Sequence, residues 1–380
     1  MITLNEEQRI TLNTVKQIVQ DKIKPRAAEI DEKGEFPYDI LEIYSLNGLL
    51  SPLIPEEYGG INSGFLLLVL IVEEIAKASA SSALILISQA DGLQPILLGG
   101  NEEIKRRYLP GFVNGKIASF AATEPWAGSD ILSMRTHAVR RGNDYIINGQ
   151  KVFITNAPAA DVFSVFAYTD PDKRSKGISV FAVEKDAKGL ILGKNEIKMG
   201  MKGCLNSELF FDDLVVPVEN RIGEEGDGYN ILMRALETGR ILTAAQAVGL
   251  AQGAIDIAIE YSRQRVQFGG PICNQQCIQF MIADMVANTE AARLLTYQAA
   301  VHLDRQDRRE IPRFCSMAKF MASDNAMKVT TDAVQILGGY GYMKDYTVER
   351  MMRDAKLIQI YAGTNQIQRL VSAREIFKYC

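Results

Sequence analysis

The chain has 380 residues, of which 47% are hydrophobic and 23% charged, and its net charge is −4. That length gives room for two or three domains with a full core, and the mixture is ordinary for a soluble globular protein. Nearly balanced charge without a block of one sign excludes a nucleic-acid scaffold and gives no reason to expect a membrane surface as a partner.

Met1 to Gln8 carries no basic run and no cleavage site, so no leader is expected. Thr3 and Glu6, followed by Ile10, Val15, Ile18 and Val19, read as the cap and apolar stripe of an amphipathic helix. Residues 1–118 continue as helices, interrupted at Lys33 to Pro37 and at Pro55 to Gly64. The longest apolar run, Phe65 to Val72, has eight residues, whereas a membrane span needs about 20. Leu86 to Leu98 is apolar and helix-like apart from Asp91, a place where a carboxylate is costly unless paired or protonated. Asp91 therefore reads either as a desolvated general base or as a cap that breaks the helix before Gly92.

Residues 119–225 change to short β-rich runs. Tyr145 to Ile154 reads as a hairpin turning at Asn148-Gly149, and Val162 to Tyr168, Ile178 to Val183 and Glu208 to Phe211 read as strands. Residues 226–380 return to helical period over 228–265, 275–305, 313–337 and 347–377, the pattern of a four-helix bundle. The expected fold is α+β and mainly α: an N-terminal helical domain, a middle β-barrel or sandwich, and a C-terminal bundle.

Cysteines 204, 273, 277, 315 and 380 form no metal or disulfide pattern and read as reduced thiols of a cytoplasmic protein. His137 and His302, the only histidines, stand in no ligand or nucleophile motif and read as surface or packing residues. No Gly-x-Gly-x-x-Gly follows a strand, so a Rossmann site is not expected, and a flavin held by other means is compatible with that.

Several segments carry more. Phe120-Ala-Ala122-Thr123-Glu124-Pro125-Trp126-Ala127-Gly128-Ser129-Asp130 offers small residues, amides and hydroxyls to a ring system. Phe153-Ile154-Thr155-Asn156 ends an apolar run on a hydroxyl. Arg265-x-x-Phe268 and Gln335-x-x-Gly338-Gly339 close helices, and each alone reads equally well as a C-cap. Arg353-Asp354-Ala355-Lys356 precedes Tyr361-Ala362-Gly363-Thr364-Asn365-Gln366. Together, and over nearly the whole chain, these segments resemble the acyl-CoA dehydrogenase family.

The resemblance implies FAD, held by Phe120, Ala122, Thr123, Ser129, Phe153, Thr155, Arg265, Phe268, Gln335, Gly339, Thr364 and Gln366. It implies that the set on the bundle serves a neighbouring subunit of a homotetramer. It further implies a CoA thioester substrate met by Ser129, Arg240, Tyr361, Ala362 and Gly363, and an electron-transferring flavoprotein as electron acceptor. The chain departs from the family at the residue that counts most. The usual glutamate base is Ala362, and the position before Arg240, where some branches keep theirs, is Gly239. Glu237 and, more strongly, Asp91 remain as carboxylates. Trp126 stands where the family often has glycine, and Gly203 to Ser207 departs from the usual pattern.

Without a base at the α-carbon, the next acidic proton of a thioester is at the γ-carbon, and only when an α,β-double bond already exists. That chemistry resembles the cyclohex-1-ene-1-carboxyl-CoA dehydrogenase branch of anaerobic bacteria, with Asp91 as proton acceptor in a 1,4-elimination. Three other readings stay open: an ordinary dehydrogenase inactivated at Ala362, a flavin-dependent enoyl-CoA reductase, and an acyl-CoA-binding protein. The retained flavin-contact residues argue against the last.

Overall fold

Asn5 starts the first helix: its side chain accepts from the Gln8 amide while the Gln8 side chain accepts from the Asn5 amide, a closed capping box. The cap expected at Thr3 lies outside the described residues, which the computed structural model gives as 4–378. Six helices follow in the first domain, α1 (Glu6–Ile18), α2 (Ala27–Lys33), α3 (Tyr38–Leu46), α4 (Gly64–Ala76), α5 (Ala80–Gly99) and α6 (Glu102–Val113). Helix α5 is its buried centre and runs through Asp91-Gly92 unbroken, which overturns the reading of Asp91 as a helix-ending cap. Pro95, inside α5, has no N–H, so the Asp91 carbonyl lacks its usual helical donor.

The middle domain is one sheet built from β1 (Ala118–Ala121), β2 (His137–Arg141), β3 (Asp144–Thr155), β4 (Val162–Tyr168), β5 (Ile178–Glu184), β6 (Leu190–Asn195), β7 (Asn206–Pro217) and β8 (Arg221–Ile222). Its order is β6-β7-β3-β2-β4-β5-β8, with β1 parallel to β4. The hairpin expected at Asn148-Gly149 is absent, because β3 passes straight through that dipeptide and pairs with β7 on both sides of a bulge there. Asn148 exchanges hydrogen bonds with Asp213 of β7, so cross-strand pairing claims a residue that local propensity assigns to a turn. A second irregularity between Lys151 and Ile154 leaves Phe153 at φ 58°.

The third domain begins with α7 (Gly228–Gln264), a helix of 37 residues, followed by a short hairpin of β9 (Val266–Gln267) and β10 (Gly270–Pro271). Helices α8 (Gln276–Asp304) and α9 (Ile311–Leu337) pack on α7. The single helix expected over 347–377 is two, α10 (Val348–Ile358) and α11 (Asn365–Phe377), and the turn between them carries Tyr361, Ala362 and Gly363. Helices α5 and α7 are long and apolar enough to cross a membrane, yet 78% and 83% of their most apolar windows are buried inside the fold.

The domains meet at charged seams. Arg353 on α10 reaches Asp31 on α2 at 2.6 Å and the Met199 carbonyl at 3.0 Å, while buried Asp354 accepts the Met201 amide. Burial pushes the Asp354 carboxyl up to about 6. The Arg353-Asp354 pair thus ties all three domains together.

A second node shapes the loop after β1. Lys151 on β3 and Glu124 are both fully buried and 2.8 Å apart. Glu124 also accepts from the Trp126 indole at 2.8 Å and from the Arg135 and Thr136 amides at 2.6 and 3.1 Å. Burial alone would raise the Glu124 carboxyl, but Lys151 and the other donors outweigh it and hold it below the usual range. Trp126 lies 43% exposed under the Arg135 guanidinium, so it packs at the edge of this loop.

Replacing Lys151 by Met strands a buried carboxylate and is expected to destabilise the protein by about 3–5 kcal/mol, read from the denaturant midpoint. A Cβ at Gly92 would stand 2.6 Å from the Ser119 amide nitrogen and 2.7 Å from the Ala118 carbonyl carbon. Gly92→Ala must therefore push α5 off β1, and the same measurement should show a loss of about 1–3 kcal/mol.

Candidate active site

Asp91 is held by the elements on either side of α5. One turn before it, the Ser88 hydroxyl donates to the Thr155 carbonyl at 3.2 Å, and the Gln89 side chain accepts the Ala118 amide at 2.7 Å. One residue after it, the Gly92 carbonyl accepts from the Ser164 hydroxyl at 2.9 Å. These bonds stitch α5 to β1, β3 and β4, so the separation between Asp91 and the Thr155 end of β3 is fixed. The Asp91 Oδ1 atom is sealed from water and has no hydrogen-bond partner. Burial alone pushes its carboxyl up to about 8.

The turn between α10 and α11, whose Tyr361 feels the charge of Asp91, is braced by side chains. Ala362 sits at φ 52° and Gly363 at φ 84°. An alanine in that region is strained, and two side chains hold it there. The Gln368 amide donates to the Ala362 and Gly363 carbonyls at 2.9 and 3.0 Å, and the Lys319 ammonium donates to Gly363 O and Asn365 Oδ1 at 2.9 Å each. Burial pulls Lys319 down to about 7. The Tyr361 hydroxyl donates to Gln246 Oε1 on α7 at 2.6 Å, and burial, with the Asp91 carboxylate adding to it, raises the phenol. Thr364 caps α11, and Gln366 is exposed.

Arg240 lies buried on α7 beside this turn, and burial lowers its pKa. Among the described residues, buried polar atoms without a partner include Arg240 Nε, Thr243 Oγ1, Ser316 Oγ and Gln368 Oε1, all on helices that frame the turn. Such atoms are costly unless a ligand or water satisfies them, which makes them candidate ligand contacts. Glu237 is not part of it, because Arg308 holds both its oxygens at 2.7 and 3.1 Å. His137 is exposed on β2, and His302 stacks on Phe314.

The sheet supplies the other wall. The bulge turns Phe153 outward, leaving it 65% exposed. Thr155 Oγ1 accepts from the Asn206 amide at 2.8 Å, and Lys198 in turn donates to the Asn206 oxygen. With one lone pair so engaged, the Thr155 hydroxyl keeps its own hydrogen free to donate. An exposed ring beside an oriented donor fits a flavin, as do the part-buried Thr123 and the exposed Ser129. The Phe120 ring packs on Phe166 and Ala122 is buried, so both serve the core with their side chains.

Arg265, Phe268, Gln335 and Gly339 are not brought to this pocket. Arg265 lies 25 residues beyond Arg240, about 37 Å further along a helical path. There it stacks over Tyr340 at 5.4 Å and lines, with Tyr261, Gly338 and Gly339, a cleft of about 520 Å³. Phe268 tips the β9–β10 hairpin at 95% exposure, and Gln335 is exposed on α9.

Asn206 and Lys319 brace the candidate site, and the sequence reading missed both. Lys319 has a signal, a lone lysine among the small and apolar residues Ser316 to Ala322. Asn206 has none, since its role depends on β7 lying against β3.

The profiles of the acyl-CoA dehydrogenase N-terminal, middle and C-terminal domains match residues 5–116, 119–214 and 226–377. A cyclohex-1-ene-1-carbonyl-CoA dehydrogenase of Geobacter metallireducens is 56% identical over 98% of each chain. A protein of the same name from Syntrophus aciditrophicus is 53% identical over 99% of this chain and 91% of its own. Among solved structures, butyryl-CoA dehydrogenase from Megasphaera elsdenii superposes with a TM-score of 0.96 at 42% identity, covering 99% and 100% of the two chains. With this fold, this pocket and these matches along its whole length, the chain belongs to the acyl-CoA dehydrogenase family and is an FAD-dependent oxidoreductase of CH–CH groups.

Proposed function

We propose that the chain dehydrogenates cyclohex-1-ene-1-carbonyl-CoA to the cyclohexa-1,5-diene thioester, with Asp91 as proton acceptor. One observation carries this reading. Helix α5 carries a carboxylate that has no hydrogen-bond partner and whose Oδ1 is sealed from water, while the turn that carries the family's usual base presents only Ala362. The names of the relatives at 56% and 53% identity support the choice of a ring substrate.

Bound FAD supplies the hydride acceptor. The protein's part begins with Asp91, which takes a proton from the γ-carbon of the enoyl thioester. The electron pair released there forms the β–γ double bond. The former α,β pair becomes the double bond to the other allylic carbon, from which the hydride departs. One proton and one hydride leave, and a conjugated diene results. Because hydrogen bonds fix α5 to β1, β3 and β4, Asp91 keeps one position relative to the Thr155 end of β3, where FAD would be held. The buried donors Arg240 and Thr243 bind and polarise the thioester end. With its carboxyl up to about 8, Asp91 is mostly protonated at neutral pH, so the same site also suits the reverse reduction, with Asp91 as acid.

The set at Arg265, Phe268, Gln335 and Gly339, together with Thr364 and Gln366, is assigned to the FAD of a second subunit in a homotetramer. The distance from Arg240 to Arg265 and the exposed Phe268 support that sharing. An electron-transferring flavoprotein is the proposed acceptor. The free thiols of Cys204, Cys273, Cys277 and Cys315 support a reducing compartment, the cytoplasm.

In anaerobic titrations the cyclic enoyl thioester should bleach the flavin and a saturated straight-chain thioester should not. Asp91→Asn should slow bleaching by about 10²–10⁴-fold, and bleaching at the full rate would place the base elsewhere. In the wild type the rate at low substrate should climb with pH through about 8, since the ionised carboxylate is the base. Stability runs the other way. The unfolded carboxyl ionises near 3.8 and the folded one near 8, so stability falls as pH rises between the two. Asp91→Asn should accordingly raise the melting temperature at pH 8, whereas loss of a structural residue would lower it.

A further inference from the structure

Gly239 has no backbone reason to be glycine. It lies in the interior of α7, outside the left-handed region, where glycine weakens a helix relative to alanine. A Cβ on Gly239 would stand 2.7 Å from Asp91 Oδ1, 3.2 Å from Oδ2 and 3.3 Å from Cγ, and these are its three nearest neighbours. The room for a side chain at 239 is thus taken up by the Asp91 carboxylate. Other glycines of α7 have a different cause: Gly249 and Gly253 meet the Glu73 and Lys77 carbonyls of a crossing helix at 2.1 and 2.2 Å.

We propose that Gly239 is a positioning residue, whose missing side chain sets where the Asp91 carboxylate stands between α5 and α7, and so which ring proton it reaches. The inference rests on Asp91 being the base. If a methyl group is added at 239, something must give, and α5 is not free to do so. Gly92 abuts the backbone of β1, and Gln89 and Ser164 bond the turns around Asp91. The Asp91 side chain is left to move, and because side chains occupy discrete staggered wells it moves by a jump and not by a small drift. A side chain at 239 and a base at 91 exclude each other.

The test compares FAD-loaded Gly239→Ala, Asp91→Ala and the double variant in anaerobic stopped-flow bleaching by cyclohex-1-ene-1-carbonyl-CoA. Gly239→Ala should lower the limiting rate by about 10²–10⁴-fold, the cost of losing the general base, with the half-saturating concentration unchanged. In the Asp91→Ala background the same substitution should cost nothing further. An equal loss in both backgrounds, or a loss in neither, overturns the proposal. Should Gly239→Ala alone fail to fold, the double variant decides. It lacks all three close contacts and should melt and retain flavin like Asp91→Ala; its failure to fold overturns the proposal as well. Failure of the base itself looks different, as Asp91→Ala bleaching at the wild-type rate, which removes both readings together.

Discussion

Everything at this site depends on one helix held between two walls. Helix α5 lies with Gly92 against the backbone of β1 on one side and Asp91 against Gly239 of α7 on the other. A close approach on both sides removes the slack that a helix on a surface would have. Hydrogen bonds through Ser88, Gln89 and Ser164 then fix its register to the strands that carry Phe153 and Thr155. In the proposed reaction the sheet sets where electrons leave and α5 sets where a proton is taken. Their contact turns two local features into one geometry.

That geometry is maintained at some expense to stability. Asp91 has no partner, the buried Arg240 leaves its Nε unpaired, and Ala362 holds a left-handed conformation. Each is unfavourable in isolation, and each lies around the same turn or faces it. The compensation comes from elsewhere in the fold. The Lys151–Glu124 pair is satisfied by backbone and indole donors, and Arg353 with Asp354 joins the three domains. Well-satisfied buried charges support the frame, and poorly satisfied ones are kept where a ligand is to be bound and changed.

Much of this was legible in the sequence because it is local. The three-domain order follows from apolar period, and the anomaly of Asp91 follows from one acidic residue in an apolar stretch. The failures have a common physical cause, which is that a tertiary contact decided between two local options. Asn148-Gly149 suits a tight turn and a bulge equally well, and pairing with Asp213 across β3 and β7 selects the bulge. Residues 347–377 carry an apolar period, and Gly363 with the N-cap Thr364 offers a local break that this period obscures. The break exists because Lys319, on another helix, and Gln368 hold the carbonyls there. Asn206 is invisible for the same reason, since its partner Thr155 is 51 residues away in the chain.

The same contrast bears on how one fold comes to act on different carbons. Electron removal depends on the sheet wall, where a bulge, an oriented hydroxyl and the clamped loop at Glu124 act together. Any change there disturbs several contacts at once. Proton removal depends on a single carboxylate, and the pocket has several surfaces from which one can be offered: the turn at Ala362, the face of α7 at Gly239, and α5 at Asp91. In the proposed assignment a carboxylate on the turn or on α7 serves the α-carbon, and one on α5 serves the γ-carbon. Moving it asks little of the fold beyond vacating the old position and clearing room at the new one. In the proposed assignment Ala362 is the vacated position and Gly239 the room cleared beside Asp91.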